Sequence, residues 1–327
     1  VETFSTIASI RHDGDTTDSY YREENDYYDA SMPAYQDMVL AYQKILFQSP
    51  YRKELEQKIG QVAFKNMELS FKGFDPKIIG LMQEENALAT EYSNLLAGAQ
   101  IEWEGEILNL SLLTPYLQSE DQKIRNKAYK KYTAYFESVG EELDLIYDRL
   151  VKNRTEQAKI LGYKNYVELG YYRMNRNSYG PTEVEKFREQ IKKDFVPFVK
   201  KVQERRKARL GLDKLTHKEE GVYFPQGNPK PIGTPEEILK CGQKMYGKLS
   251  SETKEFMDFM MENELFDVLG RKTKSGGGYM TYLPNYHAPF IFANFNGTSG
   301  DVDVITHECG HAFQGYLSGM DPIREHA

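Results

Sequence analysis

A stretch near the end of the 327-residue sequence reads Val302-Asp-Val-Ile-Thr-His307-Glu308-Cys309-Gly310-His311-Ala-Phe-Gln-Gly-Tyr-Leu317 and contains the pattern His-Glu-x-x-His. Its apolar residues suit a buried helix face, and Ser299 or Asp301 can cap the helix that we predict here. Four residues advance a helix by about 400°. His307 and His311 therefore lie one turn apart on one face, and their rings can converge on one ion.

The residue types of this motif suit zinc chemistry. Two imidazoles leave coordination positions for a carboxylate and a water, a ligand set that zinc accepts. Glu308 lies beside them, where it can take a proton from zinc-bound water and hand it to a leaving amine. We predict one Zn²⁺ per chain, with His307 and His311 as metal ligands and Glu308 as the catalytic base.

The alternative interpretation of the motif is two surface histidines on an ordinary helix. Gly310 favours a functional site, because a glycine in mid-helix costs about 1 kcal/mol relative to alanine unless something packs closely there. Of the other histidines, His12 and His217 fall in polar stretches and are predicted to be solvated. His287 could line a substrate channel or make a structural hydrogen bond.

The sequence just before the motif predicts a small sheet. Residues 270–278 form a basic, Gly-rich loop that we expect to be flexible, and residues 279–282 and 290–295 are typical of strands. Zinc peptidases hold an extended substrate by its backbone against an edge strand. A strand directly upstream of the motif therefore agrees with a peptidase.

The rest of the chain is predicted to be mainly helical. Apolar spacing and Ser-Pro or Asp-Pro starts indicate three antiparallel helices up to about residue 96, after a polar lead-in over residues 1–30 that we interpret as loop. Alternating residues over 101–112 predict a β-hairpin with its turn at Glu104-Gly105. Ile124 begins a seam of apolar positions that continues to Leu150 and predicts one long helix. Pro and Gly concentrate in residues 211–235, which we interpret as a linker or boundary.

Composition excludes several classes of protein. Hydrophobic residues make up 40% and charged residues 28%, and the net charge is −7. The mean hydropathy is −0.65 and the isoelectric point is about 5.6. No apolar run reaches the roughly 20 residues of a membrane helix. Basic residues are scattered, so we expect neither a membrane nor a nucleic-acid partner. Two cysteines are too few for a disulfide framework and favour a reducing, cytoplasmic location.

The motif and its upstream loop and strand together resemble the thimet oligopeptidase and oligoendopeptidase F family of zinc metallopeptidases, with the bacterial oligoendopeptidase F branch the closer likeness. The resemblance covers about residues 270–317. It implies a mainly α-helical, two-lobed fold whose deep channel admits short peptides and excludes folded proteins. It also implies that His307 and His311 bind zinc, that Glu308 is the base, and that Gly277, Gly278 and Tyr279 contact substrate.

One part of that site is expected to lie outside this sequence. The resemblance implies a third zinc ligand, a Glu about two dozen residues after the second His, whereas 327 − 311 = 16 residues follow His311. The family's Tyr and His donors to the tetrahedral intermediate would lie further still. Glu325 and His326 are alternative candidates for this ligand, but their spacing does not match the family. We therefore expect the chain to stop inside an active site.

We accordingly predict an N-terminal helical region over 1–210 with the hairpin near 101–112, a linker over 211–235, and the start of a zinc-binding catalytic region over 236–327. The predicted function is zinc-dependent hydrolysis of short peptides. One alternative is a catalytically incomplete helical fragment or binding module that lacks the third ligand. A zinc hydrolase of non-peptide amides is another.

Overall fold

The computed structural model describes residues 1–318, which are mainly helical as predicted. Glu325 and His326 lie outside the described residues. The helices are α1 Glu2–Gly14, α2 Ser19–Phe47, α3 Arg52–Ile59, α4 Gln61–Gly73, α5 Ile79–Ala97, α6 Leu110–Leu117, α7 Gln122–Ile160, α8 Tyr166–Arg173, α9 Pro181–Gln190, α10 Val196–Arg209, α11 Pro235–Leu249, α12 Ser251–Glu262 and α13 Gly300–Ser318. The strands are β1 Ile101–Trp103, β2 Glu106–Leu108, β3 Phe266–Leu269, β4 Tyr279–Leu283 and β5 Ala288–Phe295. Within residues 1–318, no helix is both long and apolar enough to cross a bilayer.

The chain forms two compact units, each built from separate stretches of sequence. The first contains Val1–Asn25, Ser93–Gly140 and Glu204–Ala327, and the second contains Asp26–Tyr92 and Glu141–Gln203. The divisions fall inside long helices rather than in a linker. The domain boundary expected at 211–235 stays a prediction, although residues 211–234 do lack strands and α-helices.

The core of the first unit lies between a three-stranded sheet and three helices. β5 is the central strand, with β3 parallel on one side and β4 antiparallel on the other. Because β5 is buried on both faces, its sequence is a nearly continuous apolar run. Its inner positions pack with α11, α12 and α13, and the buried members include Phe256, Met257, Met260, Ile291, Ala293, Ile305, Cys309 and Ala312.

The predicted loop over residues 1–30 is wrong, because α1 and the start of α2 are helical. The inward positions of α1 include Thr3 and His12, which are too polar to produce an apolar stripe in the sequence. Tertiary contacts hold α1 in place: the Thr3 hydroxyl accepts a 3.0 Å hydrogen bond from the backbone N–H of Asn285. The prediction that His12 is solvated is also wrong, since only 4% of it is exposed. His217 is exposed, as predicted.

The hairpin and the long helix are confirmed. β1 and β2 pair antiparallel around Glu104-Gly105, and α7 runs for 39 residues. The hairpin ends at Leu108, however, so Leu110 and Leu112 lie in α6 and not in a strand. The reason is a helix cap: the Asn109 side chain accepts a 3.0 Å hydrogen bond from the backbone N–H of Leu112.

A buried carboxylate stabilises the second unit. Glu85 on α5 accepts hydrogen bonds from Arg154 at 2.7 Å, Gln157 at 2.8 Å and Arg173 at 2.9 Å. Burial alone would raise the pKa of Glu85, but the charge of Arg173 and these hydrogen bonds outweigh it and hold the pKa below its ordinary value. The ion pair therefore stabilises the fold above the unfolded-state pKa, and this contribution is lost as the pH falls through the lower folded-state pKa.

Glu85→Gln is expected to lower the free energy of unfolding at pH 7 by about 2–3 kcal/mol, because it leaves two arginines without their buried partner. Urea denaturation at pH 7 and at pH 3 measures this effect, which should shrink at the lower pH. Glu91→Gln on the same helix is the matched control. Glu91 pairs with Arg149 at 3.4 Å on the surface, where a pair contributes at most about 1 kcal/mol. Equal losses of unfolding free energy in Glu85→Gln and Glu91→Gln would show that the buried Glu85 does not stabilise the fold more than a surface ion pair does.

Candidate metal centre

A short turn after β5 fixes where α13 begins. The Asp301 carboxylate accepts hydrogen bonds from the backbone N–H groups of Asn296 at 3.0 Å and Gly297 at 2.8 Å. Burial raises the pKa of Asp301, while these two hydrogen bonds oppose that shift. Asp301 thus lies in the first turn of α13, where a carboxylate also complements the helix dipole, and ties the helix to the end of the central strand.

The two faces of α13 have different environments. Asp301, Ile305, Cys309 and Ala312 are buried at steps of three and four. Burial, followed by the nearby charge of Glu308, raises the pKa of the Cys309 thiol to about 12, so this cysteine is an inert core residue. Because the core takes one face, the opposite face presents His307 and His311 to solvent. The helix is anchored by Tyr246 of α11, whose hydroxyl donates to the Thr306 carbonyl at 3.2 Å.

The two imidazoles converge as the motif predicts. Their Nε2 atoms lie 3.2 Å apart and their ring centroids 4.8 Å apart. Zinc–nitrogen bonds of about 2.0–2.1 Å that meet at a tetrahedral angle place two ligand nitrogens about 3.3 Å apart. The observed separation therefore fits two ligands of one zinc ion. Residues 1–318 bring no group of three or more His, Cys, Asp or Glu side chains together at a metal-binding distance.

Glu308 lies next to this pair, at the edge of an open cleft. The cleft has a volume of about 490 Å³ and is lined by Asp303, Val304, Thr306, His307 and Glu308. Glu308 is half-buried, so its carboxylate keeps access to water. One histidine and the predicted base therefore line the same water-accessible space.

Strand β4 forms one edge of the sheet beside α13, and glycine allows it to lie close. A Cβ atom at Gly278 would approach the Phe292 carbonyl oxygen to 3.2 Å and Val304 Cγ1 to 3.6 Å. Gly277 has a φ of 87°, a conformation that favours glycine. The glycines thus allow edge strand β4 to lie against both β5 and α13. The predicted role of Gly277 and Gly278 in substrate binding stays a prediction.

The Tyr279 side chain is already engaged within the fold. Its ring stacks on Phe292 at a centroid distance of 4.9 Å, and its hydroxyl donates to Asp13 of α1 at 2.8 Å. Burial and the Asp13 carboxylate raise the pKa of this phenol. The Tyr279 side chain is therefore held by the fold, and its predicted contact with substrate stays a prediction.

The Gly-rich loop, Gly310 and His287 lie in the sequence on either side of β5 and were each considered for the site. The Gly-rich loop is anchored rather than flexible, since Lys274 is fully buried. Within residues 1–318, nothing lies within 4 Å of a Cβ placed at Gly310, so no close packing explains the glycine there. His287 is exposed, with a left-handed φ of 49°, at the end of a 3-10 turn. Its two predicted roles, lining a substrate channel or making a structural hydrogen bond, stay predictions.

A helix carrying His-Glu-x-x-His, packed beside an edge strand, has the arrangement of a metal-dependent peptidase. Comparison with known families agrees. The profile of peptidase family M3 matches residues 115–218 and 250–323, and that of the M3 N-terminal domain matches residues 1–74. The chain belongs to peptidase family M3.

Solved structures of two peptidases are similar over nearly the whole chain. A protein assigned as oligoendopeptidase F from Bacillus anthracis is 45% identical with a TM-score of 0.97, and the match covers 99% of this chain and 60% of that one. PZ peptidase A, solved with an inhibitor, is 45% identical with a TM-score of 0.98, covering 99% of this chain and 58% of the other. The chain thus spans about 60% of the length of these relatives.

A protein assigned as a peptidase from Chlamydophila abortus shares the fold at 18% identity and a TM-score of 0.53, over 97% of this chain and 55% of that one. No curated protein matches the sequence.

Proposed function

We propose that this chain forms the zinc-binding part of an endopeptidase that hydrolyses short peptides. The observation that carries the proposal is the 3.2 Å separation of the His307 and His311 Nε2 atoms on the exposed face of α13. Glu308 in the adjoining cleft and the edge strand β4 supply the other parts that such a reaction needs. Membership of family M3 supports the same reaction class.

Each residue of the motif has its own role in the proposed reaction. His307 and His311 would hold zinc through Nε2. Zinc, when bound, polarises a peptide carbonyl and lowers the pKa of a water molecule toward 7. Glu308 accepts a proton from the attacking water and delivers it to the departing amine nitrogen. The free edge of β4 aligns the peptide backbone in an extended conformation. The third ligand that the family resemblance implies stays a prediction.

The alternative, a catalytically incomplete helical chain, is favoured by one observation. Residues 1–318 contribute two imidazoles but no third acidic, His or Cys side chain to a metal group. Two imidazoles plus water bind zinc more weakly than a three-ligand site. Equilibrium dialysis of the chain over residues 1–327 separates the two proposals. Tight, stoichiometric zinc binding would contradict the incomplete-site alternative.

The partners that we propose are short peptides, and the proposed location is the cytoplasm. The small cleft beside α13 and the family's oligopeptidases support the first. Cys241 and Cys309 are both free thiols, which supports a reducing compartment.

Peptide cleavage by the full-length, zinc-loaded protein tests the proposed function. We expect a quenched peptide of about ten residues to be cleaved internally, whereas a folded protein substrate should remain intact. A full-length protein that binds stoichiometric zinc but cleaves no peptide in a broad library would contradict the proposal. Cleavage of non-peptide amides alone would identify the third alternative instead.

A further inference from the structure

The interior of the first unit contains a charged side chain that the proposed reaction does not use. Lys274, in the middle of the Gly-rich loop, is 0% exposed. Its Nζ donates to the carbonyl oxygens of Ala293 at 2.6 Å, Asp267 at 2.8 Å and Leu269 at 3.0 Å, and lies 2.9 Å from the Asp267 carboxylate. The ammonium thus joins the loop to both β3 and β5.

An irregularity in the sheet explains why an ammonium fits here. The pairing of β3 with β5 shifts register between Asp267 and Leu269. Such a bulge interrupts the ladder and frees carbonyl oxygens from their usual partners. A lysine ammonium supplies three donors from a single atom, so it can satisfy several carbonyls that no one backbone N–H could reach.

The burial of this charge is energetically expensive, which argues for a specific role. Burial lowers the pKa of Lys274 to about 8, although the hydrogen bond and charge of Asp267 oppose that shift. The ammonium also lies 4.2 Å from the centre of the Phe292 ring. A methionine could fill the same volume without the cost of desolvating a charge. The contacts that only the charged group can make are those to the β3 and β5 backbone.

The loop is held from its other side by the end of α1. The Thr273 carbonyl accepts hydrogen bonds from both the backbone N–H and the hydroxyl of Thr16, each at 2.9 Å. The Ser275 N–H donates to the Asp13 carbonyl at 2.8 Å. Ser275 is therefore bonded to α1 and Thr273 to the turn that follows α1, while Lys274 itself is bonded to the sheet.

This anchoring extends to the start of β4. Asn294 of β5 donates through Nδ2 to the carbonyls of Ser275 at 2.8 Å and Gly277 at 2.9 Å. Gly278 then lies against the Phe292 carbonyl, and β4 begins at the next residue. Four residues separate the buried ammonium from the first residue of the strand, and the intervening backbone is bonded to its neighbours.

We propose that Lys274 is a positioning residue for substrate: its ammonium fixes the Gly-rich loop and thereby sets the position of edge strand β4. This inference rests on the proposed function, in which β4 aligns the peptide backbone. Lys274 is buried beneath the loop, away from the proposed substrate position and from α13. It therefore acts on β4 only through the Gly-rich loop. Its loss should therefore affect substrate binding more than the chemical step.

Lys274→Met in the full-length, zinc-loaded protein tests the inference, with Lys272→Met as the matched control. Lys272 is an exposed lysine of the same loop. For Lys274→Met we expect amide hydrogen exchange over residues 275–283 to rise about tenfold or more, since the loop opens locally. KM for a quenched peptide should rise about tenfold while kcat and zinc content stay within about threefold, because a misplaced strand weakens binding. Lys272→Met should change neither the hydrogen exchange over residues 275–283 nor KM.

Each outcome decides the inference. Unchanged exchange over 275–283, unchanged KM, or a loss confined to kcat would overturn it. If Lys274→Met does not fold, Asn294→Ala takes its place: it removes two hydrogen bonds from the loop without burying an unpaired charge, and should move exchange and KM in the same direction. If wild type binds zinc but cleaves no peptide, the proposed function fails by itself, and the exchange measurement alone then confirms or overturns the anchoring by Lys274.

Discussion

Replacing Glu308 with Gln is expected to lower kcat for peptide cleavage roughly a thousandfold, because a positioned general base contributes on the order of 10²–10⁴-fold. The amide keeps the size of the side chain but cannot accept the proton of the attacking water. Zinc content should be unchanged, since the two imidazoles that bind the metal are untouched. Steady-state cleavage of a quenched peptide, with zinc measured on the same sample, checks both parts.

Glu262→Gln, an exposed glutamate at the end of α12, is the matched control and should retain wild-type kcat. If Glu308→Gln kept kcat within about tenfold of wild type, Glu308 could not be the base. A simultaneous loss of zinc would instead assign Glu308 to metal binding.

Replacing His307 or His311 with Ala should weaken zinc binding by more than about a hundredfold, because even the loss of an outer hydrogen-bond partner of a metal ligand costs 10–100-fold. Both rings are exposed, so the variants should unfold at nearly the wild-type urea concentration in the absence of metal. Competition against a chelator of known affinity measures the zinc affinity.

His217→Ala provides the control for this pair of substitutions. His217 is also exposed, and its ring contacts Tyr129 at a centroid distance of 5.3 Å. Its loss should leave zinc affinity unchanged. Wild-type zinc affinity in His307→Ala and His311→Ala would show that the metal binds elsewhere.

The parts of the site that local geometry determines could be predicted from the sequence. The helical period places His307 and His311 on one face without reference to the rest of the chain. The hairpin turn at Glu104-Gly105 is likewise a local signal, with φ values of 51° and 91° that suit a tight turn. In both cases neighbouring residues contain all the information needed.

The parts that depend on distant contacts could not be predicted. α1 buries polar side chains against residues almost 300 positions away, so no apolar period marks it. The Gly-rich composition of residues 270–278 suggests flexibility, whereas the structure fixes the loop through Lys274 and the carbonyl of Ala293. A lysine in a basic loop gives no sign in the sequence that it is fully buried.

The described residues do not explain the glycine at position 310 of α13. Its helix cost favours a functional site, and a Cβ at this position would meet open space within residues 1–318. The chain covers about 60% of the length of its solved relatives. The third zinc ligand also stays a prediction.

X-ray anomalous scattering at the zinc edge, recorded from crystals of the full-length protein, tests the central claim most directly. The account predicts one zinc ion per chain, about 2.0–2.1 Å from the Nε2 atoms of both His307 and His311. A zinc ion bound by neither imidazole, or by only one of them, would contradict it.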